Sequence, residues 1–544
     1  MKNLKKSYQN LNFNKVYDFL DKKVFLYGFV HHIISLKNVI FLTLRYENYL
    51  IQATIKDKNL FSKEISLESV VLVHGILTKK PSKKDYQFSD LEIVTDDICL
   101  LSKAKQLPIL INSNDKIHEE LELKYRYLYL RRKEINEIML FRSKFIFEVR
   151  KFFVQNGFFE HETPLISVPT LNGANDFLIS CDLNSDKYFA LPQSPQTWKQ
   201  LLMFSGFTKY FQIAKCFRNE DSRSDRQIEF SQLDIEIAFT SEKEIVNLIN
   251  KFLKFIFKKF LNYSNFKIES LTFKKALFLY GSDKPDLRYD FKIIDFFPYL
   301  NQKAIGFLID IEINSKQFAK IKEEVHKFFQ NDYFFLYFEN QKVVTNYQNF
   351  FNLDQKKAAF LFKVKSPLAI FILNNNQDTR NILGLFRQTL IKNLNFLKKV
   401  PYAFVWIKKW PMFYYNKLEK TYCCFHHPFT KTKLEKNILK SKSEAYDIVI
   451  NGYEIGGGSL RNNDVKLQKE IFKILGISDA EIDYYFGYFM EAMNYGCPPH
   501  GGIALGIERL LMVILNESSI KNVILFPKTS KKDCLLTDSP LKIK

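Results

Sequence analysis

Between residues 24 and 100 the apolar positions come in short runs, VFLYGFVHHII, NVIFLTLRY, YLIQATI, SVVLVHGIL and DLEIVTDDICLL, parted by charged or polar turns such as Arg45 to Asn48 and Lys79 to Asp85. Runs of this length between turn residues predict five β-strands. They suit a small barrel of the oligonucleotide-binding type, and strand count alone suits a β-sandwich fragment equally. Beyond Pro108 the period changes. Phe141, Phe145, Val149 and Phe152 recur at helical spacing among Arg142, Lys144, Glu148, Arg150 and Lys151, which predicts an amphipathic helix. Asn156-Gly157 ends it, and FFEHETPLI runs extended to Pro164, whose ring disfavours helix at Thr163. The aromatic stripe serves either a core or a subunit interface.

Residues 185 to 240 alternate strand-like runs (KYFALP, KYFQIAKCF, EFSQLDIEIAF) with polar turns. From about Asp290 to Lys420 the chain is rich in Lys, Phe and Asn, holds only Gly306 and Gly384, and carries no reactive constellation. The last 120 residues differ, because ten of the 18 glycines fall between Gly452 and Gly506. Such clustering marks places where backbone turns tightly or approaches a ligand.

A chain of 544 residues suggests three or four domains. With 46% hydrophobic and 26% charged residues it is expected to fold throughout. The net charge of +21 attracts polyanions, nucleic acid or anionic membrane, although an abundance of residues with A/T-rich codons accounts for it as well. Seven cysteines, with Cys423 beside Cys424 and no CxxC pair, fit a reducing cytoplasm. The opening MKNLKKSYQNLNFNK lacks the apolar stretch of a signal peptide, and no 18 apolar residues run uncharged, so neither export nor a membrane partner is expected.

Three segments can carry chemistry. In CFRNEDSRSDRQIEFSQLDIEIAF, residues 216 to 239, Arg218, Arg223 and Arg226 accompany Glu220, Asp221, Asp225 and Glu229, and arginine's planar fork suits phosphate oxygens. A solvated charged hairpin reads the same way. On the outgoing strand Phe230, Gln232, Asp234 and Glu236 share one face, lining a wet cleft or open solvent. In AYDIVINGYEIGGGSLR, residues 445 to 461, Asp447 and Glu454 flank the apolar strand Ile448 to Ile450. Two such carboxylates can hold Mg²⁺ when substrate phosphates supply the other oxygens. The GGGS run lacks the Walker spacing and serves equally as a plain turn. In YGCPPHGGIALGIERLLMVIL, residues 495 to 515, Glu508 and Arg509 stand near a helix start, where backbone N–H groups favour anions. His426 and His427 follow the cysteine pair without a recognised metal-ligand spacing, which favours substrate contact or packing.

In order along the chain, LKYRYLYLRR at 123 to 132, ETPLIS at 162 to 167, LPQSPQTWKQLLM at 191 to 203, CFRNEDSRSDRQIEFSQLDIE at 216 to 236, YGSDKPDLR at 280 to 288, HHPFT at 426 to 430, NGYEIGGGS at 451 to 459 and PPHGGIALGIERL at 498 to 510 resemble the class II aminoacyl-tRNA synthetases, in particular the bacterial aspartyl-tRNA synthetases. The class I motifs HIGH and KMSKS are absent. The resemblance implies an α+β chain: a five-stranded anticodon-binding OB-type barrel over 1–107, a linker over 108–135, and a catalytic domain over 136–289 and 421–544. The catalytic domain has a six-stranded antiparallel sheet with flanking helices, and an α/β domain is inserted over 290–420. It also implies a homodimer formed through the helix and Pro164 segment.

The implied reaction joins L-aspartate to ATP, releasing pyrophosphate, and passes the aspartyl group to tRNA(Asp), with Mg²⁺ as cofactor. By resemblance Arg218 binds the α-phosphate and the aspartate carboxylate, Glu220 contacts the adenine side, Phe230 stacks on the base and Arg509 holds the ATP tail. Asn219, Gln227, Glu454, Gly506, Ile507 and Glu508 complete the ATP site, and Asp447 with Glu454 carries Mg²⁺. Lys199 and Arg461 grip the substrate side chain. Ser194, Gln196, Gln232 and Asp234 surround its ammonium, and His426 closes over it. Anticodon contacts fall on Phe41, Gln52 and Glu92. Departures from the family wording are TLNGAND for TPEGARD, which puts Asn172 where a glutamate holds the ammonium, Glu508 and Asn219 in GIER and FRNE, and His31, His32, Ile33 and Ile34 in place of a basic stretch. Two rivals are an enzyme that also charges tRNA(Asn) with aspartate, and an RNA-binding protein without catalysis.

Overall fold

The computed structural model describes residues 8–542 except 82–85, 114, 170–174, 182–185, 222, 297–302, 310–312, 330–332, 340–341, 347–367, 374–376 and 394–397. The chain forms two units, Met1–Lys144 with Lys521–Lys544, and Phe145–Ile520. The tail 521–544, drawn into the catalytic part from sequence, therefore groups with the first unit. No helix among the described residues is long and apolar enough to cross a membrane.

In the first unit, strands β1 (Lys23–Ser35), β2 (Ile40–Tyr46), β3 (Tyr49–Ile55), β4 (Val70–Lys79) and β5 (Leu91–Ser102) form a barrel. Pairing of β1 with both β2 and β4 closes it, which decides between barrel and sandwich. Alternation does the sorting: Ile40, Leu42, Leu44, Ile51, Ala53 and Ile93 fill the interior, and the residues between them face outward. The stretch 108–135, expected as a linker, holds helices Glu119–Lys124 and Arg126–Tyr129 and a small core of Ile109, Ile111 and Leu128.

The second unit is built on one eight-stranded sheet. Its strands are β6 (Phe159–Glu160), β7 (Lys209–Phe217), β8 (Glu229–Ala238), β9 (Ile268–Thr272), β15 (Phe404–Lys408), β16 (Ala445–Ile450), β17 (Tyr453–Leu460) and β18 (His500–Gly506), in the order β9-β15-β16-β17-β18-β8-β7-β6. Six are antiparallel as expected, and a parallel strand is added at each edge. The predicted amphipathic helix is α1 (Lys133–Gln155), whose Phe152 and Phe153 pack on Phe252 of α3 (Glu242–Leu261). A Ser241–Glu244 capping box starts α3 and left-handed Asn262 ends it. Helix α2 (Gln196–Phe204) precedes β7, and α4 (Phe273–Tyr280) follows β9.

The insertion is an antiparallel sheet of β10 (Ile293–Asp295), β11 (Ile305–Ile309), β12 (Phe334–Glu339), β13 (Lys342–Thr345) and β14 (Leu368–Ile372), ordered β10-β11-β14-β12-β13. Helices α5 (Ser315–Phe329) and α6 (Gln377–Asn393) share its core through Ile321, Val325, Leu383 and Phe386. It ends before β15, not at 420, because Phe404–Lys408 is hydrogen-bonded into the large sheet between β9 and β16.

Candidate active site

The register of the large sheet assembles the site. Asp447 of β16 lies opposite Gly457 of β17, Gly457 opposite Ala504 of β18, Ala504 opposite Asp234 of β8, and Asp234 opposite Gln212 of β7. This transverse row has carboxylates on β16 and β8 with two nearly side-chain-free positions between them, so it forms a trough. A Cβ on Gly457 would sit 2.6 Å from Asp447 Oδ1. In the next row Glu236 passes over Gly502, where any Cβ would collide with its carboxylate. The glycine run is therefore space for carboxylates and for whatever they bind. Above the trough lies a cavity of about 820 Å³, of the size that takes a small-molecule ligand.

At one end two cations stand over two acids. Lys199 Nζ lies 2.7 Å from Asp234 Oδ1 and 3.2 Å from Glu236 Oε2. Arg461 Nε and Nη2 donate to the two oxygens of Glu236 at 2.9 and 3.1 Å, and Nη1 donates to Ser459 Oγ at 2.7 Å. Burial pushes the Glu236 carboxyl up, but Arg461 and then Lys199 outweigh it and hold it at about 2. Asp234 goes the other way, raised by burial against the pull of Lys199. Gln200 and His500 lie behind this cluster, His500 Nε2 being 3.1 Å from Gln200 Oε1.

At the other end, burial and then neighbouring Glu454 drive the Asp447 carboxyl well above the usual carboxylate range. Burial acts on Glu454 too, but Lys284 and Arg509 prevail and hold it at about 2. Lys284 Nζ is 2.6 Å from Glu454 Oε2. Arg509 at the first turn of α7 (Ile507–Ile514) donates to the carbonyl oxygens of Asp225 at 3.1 Å and Glu454 at 2.9 Å, and approaches the Asp225 carboxylate at 3.3 Å. Glu508 Oε2 accepts from Ser231 N, which docks α7 on β8. The Arg218 guanidinium lies 5.2 Å over the Phe230 ring, and Arg226 Nη1 donates to Glu220 at 2.7 Å. His426 and His427 are pushed down to about 4 and about 3, burial being the main cause. Both are thus neutral near pH 7, and His427 Nδ1 accepts from Phe429 N at 3.3 Å.

Eight buried side-chain atoms of the described residues lack a hydrogen-bond partner, and five of them line this one cavity: Gln196 Nε2, Arg218 Nε, Asp234 Oδ2, His426 Nε2 and Asp447 Oδ1. Buried polar groups are normally paired, so a convergent set of unpaired ones awaits a polar ligand. The carboxylates of Asp447 and Glu454 would suit a magnesium ion whose remaining ligands would be supplied by water or by substrate. Among the described residues no group of three His, Cys, Asp or Glu holds a metal unaided.

The cavity also gathers Ser194, Glu220, Gln227, Gln232 and Gly506 of the expected set. Ile507 is different: its side chain is wholly buried in the core, since α7 turns that face toward the sheet. Asn219 does not line the cavity, its backbone N donating to Asn175 O. Asn172 lies outside the described residues. The sequence assigns no role to Lys284 or Ser459 and places Asp225 only in a charged hairpin and Glu236 only on a polar strand face; the dense GSDKPDLR run is the one local signal for Lys284.

In the other unit Phe41, Gln52 and Glu92 occupy outward positions on adjacent strands β2, β3 and β5, with Gln52 opposite both Thr43 and Glu92. Gln52 Nε2 donates to Glu92 at 2.9 Å, the Thr54 hydroxyl donates to the same carboxylate, and Lys80 Nζ is 2.5 Å from Gln52 Oε1. The adjoining Arg45 is committed to Glu68 through two hydrogen bonds, at 3.0 and 2.6 Å.

Comparison with known proteins agrees with this geometry. Residues 118–530 match the family described as tRNA synthetases class II (D, K and N), and residues 24–101 match the OB-fold nucleic acid binding domain. An aspartate–tRNA(Asp/Asn) ligase of Hydrogenobaculum is 38% identical, over 96% of this chain and 95% of its own. An aspartate–tRNA ligase of Buchnera aphidicola is 37% identical, over 96% and 95%. The fold is shared with an asparaginyl-tRNA synthetase from Pyrococcus horikoshii, at a TM-score of 0.61 and 18% identity over 96% of this chain and 98% of that one. The chain belongs to the class II aminoacyl-tRNA synthetases.

Proposed function

We propose that this chain is an aspartate–tRNA ligase, which activates L-aspartate with ATP and transfers it to the 3′ end of tRNA(Asp). The observation that carries the reading is the pairing, in one cavity, of two buried cations with an unpartnered carboxylate oxygen. Lys199 and Arg461 together balance Asp234 and Glu236, so the end is neutral before a ligand enters. Aspartate adds an ammonium for Asp234 Oδ2 and a side-chain carboxylate for the remaining donors of Lys199 and Arg461. Asparagine offers an amide to those two cations and forfeits the charge pairing, which is the physical basis for rejecting it.

Activation brings two anions together, so the protein's task is to position them and cancel charge. Arg218, with its free Nε, spans the substrate carboxylate and the α-phosphate; Phe230 supports the base, with Glu220 and Gln227 at its edge; Arg509, fixed by two carbonyls, faces the ATP tail. A magnesium ion held by Asp447 and Glu454 would neutralise phosphate charge. Neutral His426 supplies a hydrogen bond above the amino acid without adding charge.

The outward face of the barrel, with Phe41 for stacking and the Gln52–Glu92 pair for base edges, is proposed to read the anticodon. Homodimerisation is supported by exposed apolar side chains on α1 and the segment that follows it, Phe147, Val154, Phe159, Leu165 and Ile166. Seven free thiols suit action in the cytoplasm. Charging purified transcripts of tRNA(Asp) and tRNA(Asn) with aspartate tests the reading: tRNA(Asp) should be charged. Efficient charging of tRNA(Asn) would overturn strict specificity, and charging of neither would overturn the activity.

A further inference from the structure

Lys284 enters the cavity from the loop between α4 and β10, and the backbone of that loop is fixed by the insertion. Gly281 ends α4 at φ +60, where a Cβ would run into the backbone of Arg380 and Gly384 of α6. Arg380 Nη1 donates to Phe278 O at 2.7 Å. Arg387 donates to the carbonyls of Asp286, Tyr289 and Phe291 at 2.8, 2.9 and 2.7 Å. Lys284 N itself donates to Ser282 Oγ at 3.0 Å. The Cα of Lys284 is thereby held in place, while its side chain, 32% exposed, ends in the cavity against Glu454.

Glu454 is one of the two carboxylates read above as magnesium ligands. An ammonium 2.6 Å from one of its oxygens and a divalent cation on the same carboxylate repel each other at short range. A divalent cation held by Glu454 would compete with Nζ for the carboxylate, and the anchored backbone would keep the displaced charge inside the cavity where a polyphosphate would bind. Lysine suits such a transfer, being a compact charge on a flexible stem with three donors. Arg509, tied to two carbonyl oxygens, cannot make it.

We propose that Lys284 is a charge-exchange residue of the nucleotide site, neutralising Glu454 before nucleotide arrives and pairing with the ATP phosphates once the carboxylate is given to the metal. This rests on the reading of Glu454 as a metal ligand. No covalent bond is made or broken in the exchange.

The test is Mn²⁺ binding to the nucleotide-free, full-length enzyme, followed by electron paramagnetic resonance, for wild type, Lys284→Met and Lys284→Gln, together with the KM for ATP in pyrophosphate exchange. Removing the ammonium should tighten Mn²⁺ binding about tenfold and raise the KM for ATP by a similar factor, because the same charge leaves both partners. Unchanged Mn²⁺ affinity in the variants overturns the exchange, as does an unchanged KM for ATP. Two substitutions of different polarity are used so that a failure of one to fold leaves the other to decide. Glu454→Gln separates the proposal from its basis: if that variant keeps wild-type Mn²⁺ affinity and full exchange, Glu454 is no metal ligand and both readings fall. If it loses both while the Lys284 variants bind Mn²⁺ like wild type, the charge-exchange role alone falls.

Discussion

Replacing Arg461 by methionine strips the guanidinium from a deeply buried ion pair of the site, in which Arg461 is 4% exposed and Glu236 not at all. Holding the Glu236 carboxyl at about 2, against an ordinary 4.5, reflects a preference for the charged form of roughly 3 kcal/mol at about 1.4 kcal/mol per pH unit. That agrees with the roughly 3–5 kcal/mol lost when a buried pair is broken from one side. In Arg461→Met, Lys199 is left alone against Asp234 and Glu236, so denaturant unfolding of the unit carrying the site should show a loss of roughly 3 kcal/mol. Aspartate-dependent ATP–pyrophosphate exchange should fall by about 10²-fold or more, since a substrate carboxylate would lose a charge-assisted contact worth roughly 2–5 kcal/mol. Loss of stability and loss of function are separated by Arg461→Met/Glu236→Leu, which removes both charges. Stability should largely return, as it does when a buried pair is replaced by apolar groups, while exchange stays low. Recovery of wild-type exchange in the double variant would refute the reasoning, because Arg461 would then serve Glu236 and not the substrate.

The same pair sets a pH dependence. A carboxyl whose folded value lies below its unfolded one stabilises fully above the unfolded value and loses that contribution as pH falls through the folded value. Wild type should therefore lose stability relative to Arg461→Met/Glu236→Leu between about pH 4.5 and 2; parallel acid unfolding curves would contradict this. In the barrel, Phe41→Ala and Glu92→Ala should lower kcat/KM for tRNA charging about tenfold or more while leaving pyrophosphate exchange unchanged, since base stacking is worth roughly 1–3 kcal/mol and the described residues lining the activation cavity all belong to Phe145–Ile520. Phe147→Glu, placing a charge at an exposed apolar position of α1, should give a monomeric mass by light scattering where wild type gives a dimer; a wild-type monomer would contradict the dimer.

Much of the site was legible because its residues sit in short, distinctive runs. Gly456 to Gly458 announced a close approach, and Asp447, Glu454, Arg218, Arg461 and Arg509 are chemically suited to phosphates and carboxylates. What was not legible is pairing across distance. Glu236 acquires its role from Arg461, 225 positions away, and looked from its strand period like any polar residue on a wet face. Lys284, in the loop after α4, acquires its role from Glu454 on β17. Five strands could not distinguish barrel from sandwich, because closure lies in the β1–β4 pairing and not in any one strand. The insertion reads on to 420 because the Lys-, Phe- and Asn-rich, glycine-poor composition continues through β15, and only the partners β9 and β16 place that strand in the large sheet.

The central claim is that the neutral end of the cavity selects a ligand with one ammonium and a second carboxylate. It is tested most directly by ATP–pyrophosphate exchange on the purified chain with aspartate, asparagine and glutamate offered singly. Exchange with aspartate at least about 10²-fold above that with either of the others is the predicted result; comparable exchange with asparagine, or none with aspartate, would contradict it.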